Sequence, residues 1–355
     1  MYKSFAVKNF RNFSSILIEN MQRINLIIGK NNAGKTAFLE AMFLHIGSIN
    51  PALTASITQF RGITGVKANA EALWGSLFHN FDINKTIELT AVHTDRSKAT
   101  LKISLIPSSL VTFDEIDKKH ADQSSGDSQL SLLPDRHLQY KYTHKSTSFT
   151  KIAKFTTLGL NIEPSGGTIL LTGFFVPARI SLDPGATAQR FGELEIKLKG
   201  KTIVNFLKII EPRIKSLTVI PLGPVPYIHA DIGGKRLMPI QLLGEGMVRL
   251  SEIAIDISSA SGGIVLVDDI DTGIHHSVLP IFWKAIFQLT KKLNVQLFAS
   301  THSAESLEAA HRAWNNTNQY DMAVYRLQRV RQSVDVISYD KQSLKAAIET
   351  GLEVR

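Results

Sequence analysis

Three stretches of this 355-residue chain carry residue types at spacings suited to phosphate chemistry. The first is Gly29-Lys30-Asn31-Asn32-Ala33-Gly34-Lys35-Thr36, which fits the pattern G-x-x-x-x-G-K-[ST]. Its two glycines let the main chain curl around an anion with no side chain in the way. The N–H groups of such a loop, and the positive end of the helix that follows, point at phosphate oxygens. Lys35 then falls between the β- and γ-phosphates of a nucleoside triphosphate, and the Thr36 hydroxyl on Mg²⁺. The second stretch, Gly263-Ile264-Val265-Leu266-Val267-Asp268-Asp269-Ile270-Asp271, is an apolar run ending in carboxylates. Asp268 is expected to complete the Mg²⁺ shell, as an acid at a neighbouring strand end does in P-loop proteins. Asp269 is placed to orient or deprotonate the attacking water. The third stretch runs from Asn294 to Ser303, again apolar before the polar Ser300-Thr301-His302-Ser303. His302 is expected at the γ-phosphate or the attacking water. A weaker signal is Leu243-Gly244-Glu245-Gly246-Met247, a Gly-rich turn that opens a helix and so offers another anion site.

A phosphate loop works only where a strand delivers it and a helix leaves it. Ile24 to Ile28 reads as a buried strand, and Phe38, Leu39, Met42, Phe43 and Ile46 recur at helical spacing over 35–47. Ahead of it, residues 1–20 read as two short strands around a turn near Ser14-Ser15. Ala70, Leu73, Trp74, Leu77 and Phe78 predict an amphipathic helix over 66–80, and period-two alternation predicts strands at 86–92 and 99–105. The polar stretch 106–150 reads as an insertion with one strand at most, and 169–177 as a buried apolar run. A stripe of Val204, Leu207, Ile210 and Ile214 predicts helix over 185–216, split by Pro212. Strands follow at Leu217–Ile220 and Tyr227–Asp231, with Gly233-Gly234 as a hairpin turn, and a helix from about Val248 to Ser258.

Composition narrows the class. Lys and Arg outnumber Asp and Glu by 40 to 31, a formal charge of +9, so a polyanion such as nucleic acid is an expected contact. Cysteine is absent, which excludes disulfides, Cys-ligated zinc and thiol catalysis. No apolar run is long enough to span a membrane, and Met1 to Lys8 alternates like a strand rather than forming a signal-peptide core. A cytoplasmic protein is expected. The absence of a long heptad array excludes the coiled-coil arms of a tethering ATPase.

Four blocks in this order carry a family resemblance: Val7-Lys8-Asn9-Phe10-Arg11-Asn12-Phe13, Ile27 to Thr36, Leu266 to His276, and Ser300-Thr301-His302-Ser303. The chain resembles the ABC-type ATPases of the RecF/SMC class. It looks closest to the "overcoming lysogenization defect"-like (OLD-like) AAA ATPases, in a stand-alone form. The similarity runs from residue 1 to about residue 310 and is poor through 100–190. It implies an α/β P-loop ATPase head, with a central, mostly parallel sheet flanked by helices, and a β-rich lobe. The core lobe is expected at about 1–60 and 217–355, and the second lobe at about 61–216. By resemblance the head forms a homodimer or higher oligomer, pairing head to tail. ATP is then held between one phosphate loop and the partner's signature turn, here Gly244-Glu245-Gly246. Gly273 to His276 then lies near the dimer seam, Asn9, Arg11 and Asn12 flank the nucleotide, and Gln59 stands for the glutamine loop.

The chain departs from its relatives in three ways. Asp269 stands where most have Glu, one methylene longer, and a misplacement near 1 Å can slow a reaction about 10²-fold. Glu245 puts a charge in the signature turn. The tail past His302 reads as two strands, Met322–Leu327 and Val334–Tyr339, and a short helix. No Toprim nuclease domain is expected there, so a separately encoded nuclease or other effector is the expected partner, with DNA. The expected function is an ATP-hydrolysing switch. An ATP-holding scaffold is the alternative, ahead of a transporter subunit, which needs an LSGGQ-like signature. A metal-dependent hydrolase built on Asp268, Asp269, Asp271, His275 and His276 is the last, since the phosphate loop already accounts for two of these residues.

Overall fold

A computed structural model of the chain describes residues 1–62, 74–108, 136–156, 159–164, 167–168, 170–178, 183–209, 211–315, 320–331 and 333–350. Strands β1 (Tyr2–Phe10) and β2 (Phe13–Ile18) form a hairpin in which Phe10 pairs with Phe13. The chain therefore reverses at Arg11-Asn12 and not at Ser14-Ser15. Both phenylalanines are buried, which holds them in the ladder, and the serines ride on the solvent-facing strand. Then come β3 (Ile24–Ile28), α1 (Lys35–Ile46) and α2 (Leu53–Gln59). A long antiparallel run follows: β4 (Ile87–His93), β5 (Lys98–Pro107), β6 (Arg136–His144), β7 (Thr147–Thr156) and β8 (Gly159–Glu163). Next are β9 (Gly173–Val176), α3 (Pro184–Ile196), α4 (Gly200–Leu207), β10 (Ser216–Leu222), β11 (Val225–Asp231) and β12 (Met238–Pro239). The last third holds α5 (Glu245–Ser259), β13 (Ile264–Val267), α6 (Leu279–Leu293), β14 (Gln296–Ser300), α7 (Ala304–Asn315), β15 (Met322–Val330), β16 (Ser333–Tyr339) and α8 (Lys341–Glu349).

These strands make three sheets. One is antiparallel, in the order β2-β1-β4-β5-β6-β7-β8, and a small one is β10-β11-β12. The third, β16-β15-β3-β14-β13-β9, is parallel except at the β15–β16 edge. Side chains alternate across a strand, so the parallel sheet feeds two cores. Leu26, Val265, Leu297 and Val324 point to a helical layer that includes α5 and α6. Ile27, Leu266, Phe298 and Tyr325 point to α1 and, beyond it, the inner face of the antiparallel sheet. Helix α1 is buried on nearly every side, which explains why its apolar residues exceed one stripe. Among the described residues no helix is long and apolar enough to cross a membrane.

Several segments differ from the sequence reading. Residues 136–156 form a two-stranded hairpin that begins inside the stretch 106–150, read as an insertion with one strand at most, and runs past its end. Leu138, Tyr140 and Tyr142 face the core while Gln139, Lys141 and Thr143 face outward, and that polar half masks the strand. Of the helix read over 66–80, residues 66–73 lie outside the described residues, and 75–77 and 79–81 form two short 3-10 turns. The break in 185–216 falls at Leu198, whose φ is +57°, and Pro212 lies beyond the end of α4. The sheets do not divide at residues 60 and 217. β1 and β2 belong to the antiparallel sheet, and β9 to the parallel one.

Candidate active site

The candidate chemistry gathers at one edge of the parallel sheet. In a parallel sheet all carboxyl ends open on the same side, which is where open α/β sheets bind ligands. β14 lies between β3 and β13, with Ser300 opposite Ile27 and Ala299 opposite Val267. The Ser300–His302 exit therefore stands between the phosphate loop and the acids of β13.

The loop itself closes tightly. Gly34 has φ +107°, and a Cβ there would meet Asn12 Nδ2 at 2.5 Å, so only glycine lets the β1–β2 turn approach. Asn12 Nδ2 also donates to the Ala33 carbonyl at 3.5 Å. Lys35 Nζ donates to the Gly29 and Lys30 carbonyls at 2.8 and 3.2 Å, folded along the inside of the loop. Burial lowers the pKa of this ammonium, and the charges of Asp269 and Asp268 oppose the shift.

The two acids sit in different surroundings. Thr36 Oγ1 donates to Asp268 Oδ2 at 2.8 Å, and Ser300 Oγ donates to Asp268 Oδ1 at 2.6 Å. Burial raises the pKa of Asp268, and the Ser300 and Thr36 hydroxyls hold it down. Thr36 and Asp268 make an oxygen-only pair of the kind that suits Mg²⁺. Asp269 leaves the strand with φ +47°, its N–H donating to Ser300 Oγ at 2.8 Å. Its Oδ1 is 3.3 Å from His302 Nδ1. From behind, Arg249 of α5, only 2% exposed, donates to the carbonyls of Pro177 and Asp268. It ties the ends of β9 and β13 together.

A second charged cluster faces the loop helix. Glu40 is fully buried, and Arg61 grips its carboxylate with two hydrogen bonds of 2.8 and 2.9 Å. Arg11 Nε lies 2.7 Å from the same carboxylate, and Arg11 Nη2 has no hydrogen-bond partner among the described residues. Burial lowers the Arg11 pKa to about 10, against the pull of Glu40. Two guanidiniums on one carboxylate leave a surplus positive charge at the site. These groups open on a cavity of about 1210 Å³, whose lining includes Arg11, Asn12, Asn31, Asn32, Gly34, Lys35, Thr36, Arg61, Asp269 and His302.

Other expected residues stand apart. Gly244, Glu245 and Gly246 do not line this cavity; Gly246 packs instead against Gly273. Gln59 is exposed and off the lining, where Arg61 takes its place. Among the described residues no three His, Asp or Glu side chains gather as a metal-ligand group, so Asp268, Asp269, Asp271, His275 and His276 do not form the centre a metal-dependent hydrolase needs. Sequence reasoning missed Ser300, Arg249, Glu40 and Arg61 as site residues. Ser300 carried a signal, a hydroxyl at a strand exit beside His302, whereas the other three depend on long-range packing.

Residues 24–308 match the family model described as "AAA domain, putative AbiEii toxin, Type IV TA system". The chain belongs to this AAA ATPase family. It is 21% identical over 325 residues to an "ATP/GTP phosphatase" of Helicobacter pylori (strain ATCC 700392 / 26695), covering 87% of each chain. Among solved structures it is similar to an Smc head bound to the C-terminal winged-helix domain of ScpA, with TM-score 0.53 and 13% identity, covering 97% of this chain and 99% of that one. A second Smc head, with an extended coiled coil and bound to the C-terminal domain of ScpA derived from Pyrococcus furiosus, gives TM-score 0.52 at 10% identity, covering 98% of each chain. At these identities the likeness is one of fold: the protein is a mixed α/β P-loop ATPase domain similar to SMC heads.

Proposed function

We propose that this protein is an ATP-hydrolysing switch of the OLD-like kind that dimerises around ATP and controls a DNA-related or nuclease effector. The observation that supports hydrolysis most is the meeting of Lys35, Thr36, Asp268, Asp269 and His302 at one sheet edge. In this reading Lys35 and the loop N–H groups hold the β- and γ-phosphates. Thr36 and Asp268 hold Mg²⁺, which when bound screens the phosphate charge. Asp269 accepts a hydrogen bond from the attacking water, and His302 orients that carboxylate or contacts the γ-phosphate. Dimerisation has support in the position of the signature turn. Glu245 opens α5 away from this chain's own cavity, where a second copy can bring it to the phosphates. The net positive charge supports contact with nucleic acid.

A second reading, an ATP-holding scaffold, is favoured by one feature: Asp269 reaches one methylene less far than glutamate. Single-turnover hydrolysis alongside light scattering separates the two. Lys35→Ala is expected to abolish ATP binding. Asp269→Ala is expected to leave binding intact, stop hydrolysis and lengthen the dimer's lifetime, and Asp269→Glu to raise turnover. Nucleotide affinity within about threefold of the parent in Lys35→Ala would remove the phosphate-loop assignment. Hydrolysis below detection in both the parent and Asp269→Glu would leave the scaffold.

A further inference from the structure

Resting on the reading of the cavity as a nucleoside triphosphate site, we propose that Phe81 is the platform on which the nucleotide's base stacks. The lining combines the phosphate loop, Asp269 and His302 with the Arg11-Asn12 turn and a segment that runs from Ser76 to Phe81. That segment is pinned to the turn. Phe78 is buried and bridges to Phe10, Arg11 N–H donates to the Leu77 carbonyl at 2.8 Å, and His79 Nδ1 lies 2.9 Å from the Arg11 carbonyl.

Past this anchor the main chain changes hand. Asn80 has φ +54° and Phe81 φ +58°. Asparagine tolerates that region, but a bulky aromatic residue is held there only under strain. The outcome is a phenyl ring that is 65% exposed and takes no part in either hydrophobic core. Every other open side chain on the lining is polar or charged, since Ala37 and Phe78 are buried. Strain that leaves an apolar ring at the mouth of a polar cavity makes physical sense when a flat ligand covers the ring. A triphosphate seated on Lys35 carries its nucleoside outward, and the heterocycle is the one part of it with an apolar face. Stacking accepts any base, so the platform separates nucleosides from bare polyphosphate without separating ATP from GTP.

The test compares the affinities of ATP, GTP and inorganic tripolyphosphate, each with Mg²⁺, by calorimetry on the full chain. Phe81→Ala is expected to weaken ATP and GTP about tenfold, from the usual size of base–aromatic stacking. Tripolyphosphate should keep its affinity, and Phe81→Trp should restore both nucleotides. Because the ring is exposed, a thermal melt of each variant should match the parent. Equal losses for all three ligands, or unchanged ATP affinity, would overturn the platform. Lys35→Ala separates the two levels. If it abolishes binding of all three ligands while Phe81→Ala changes none, the platform alone fails; if it changes none, the phosphate site fails with it.

Discussion

Ser300 is the hydroxyl on which both acids depend, so Ser300→Ala is the sharpest perturbation of the site that leaves every proposed reacting group in place. The substitution removes the 2.6 Å bond to Asp268 Oδ1 and the acceptor for the Asp269 N–H at 2.8 Å. Ser300 is fully buried, so solvent does not replace either bond. A hydrogen bond to an ionised carboxylate contributes about 1.5–3 kcal/mol, and a buried amide left without an acceptor costs about 1–3 kcal/mol. We expect a loss of about 3 kcal/mol in unfolding free energy, near the lower end of that sum.

The pH dependence gives a second, independent readout. Burial already raises the Asp268 pKa, and the Ser300 hydroxyl is the larger of the two bonds that restrain it. Losing it moves the pKa further up. A carboxyl whose folded pKa is raised favours the folded state while protonated, and that contribution is lost as pH rises through the folded value. The stability deficit of Ser300→Ala is therefore smallest in acid and grows toward neutrality. Metal binding needs the ionised carboxylate, so the acid limb of Mg²⁺-dependent ATP hydrolysis should move to higher pH. Urea unfolding at about pH 5 and about pH 8, with a pH–rate profile, measures both effects. An equal deficit at the two pH values together with an unmoved acid limb would refute this account of Asp268.

Two further outcomes are expected. In Gly246→Ala the new Cβ is pressed into the Gly273 carbonyl, so the signature turn and its neighbouring loop must part; ATP binding by the monomer should persist while ATP-dependent self-association falls, and light scattering that shows an unchanged dimer would count against the proposed seam. Asp256 is buried beside Arg190 at 2.8 Å, and burial pushes its pKa up to about 6. Its contribution to stability is present below the ordinary carboxylate range and lost as pH rises through about 6. Asp256→Asn should flatten that part of the pH–stability curve, and an unchanged slope would mean another group titrates there.

Local rules made the phosphate loop, its strand and its helix legible, because a strand–turn–helix needs only adjacent residues. The same holds for the apolar strands that end in Asp268-Asp269 and in Ser300-Thr301-His302. What the chain order does not contain is which strand lies beside which. β14 follows β13 in sequence yet inserts between it and β3, and that placement alone brings Ser300 onto Asp268. Arg249 reaches the end of β13 from α5, and Arg61 meets Glu40 across 21 positions, through packing that no spacing pattern announces. The hairpin at 136–156 was hidden because half of each strand faces water, where polar residues read as loop. Phe81 was invisible for a related reason: its exposure comes from two left-handed residues and a pinned neighbour, so its meaning depends on the cavity that the rest of the fold builds around it.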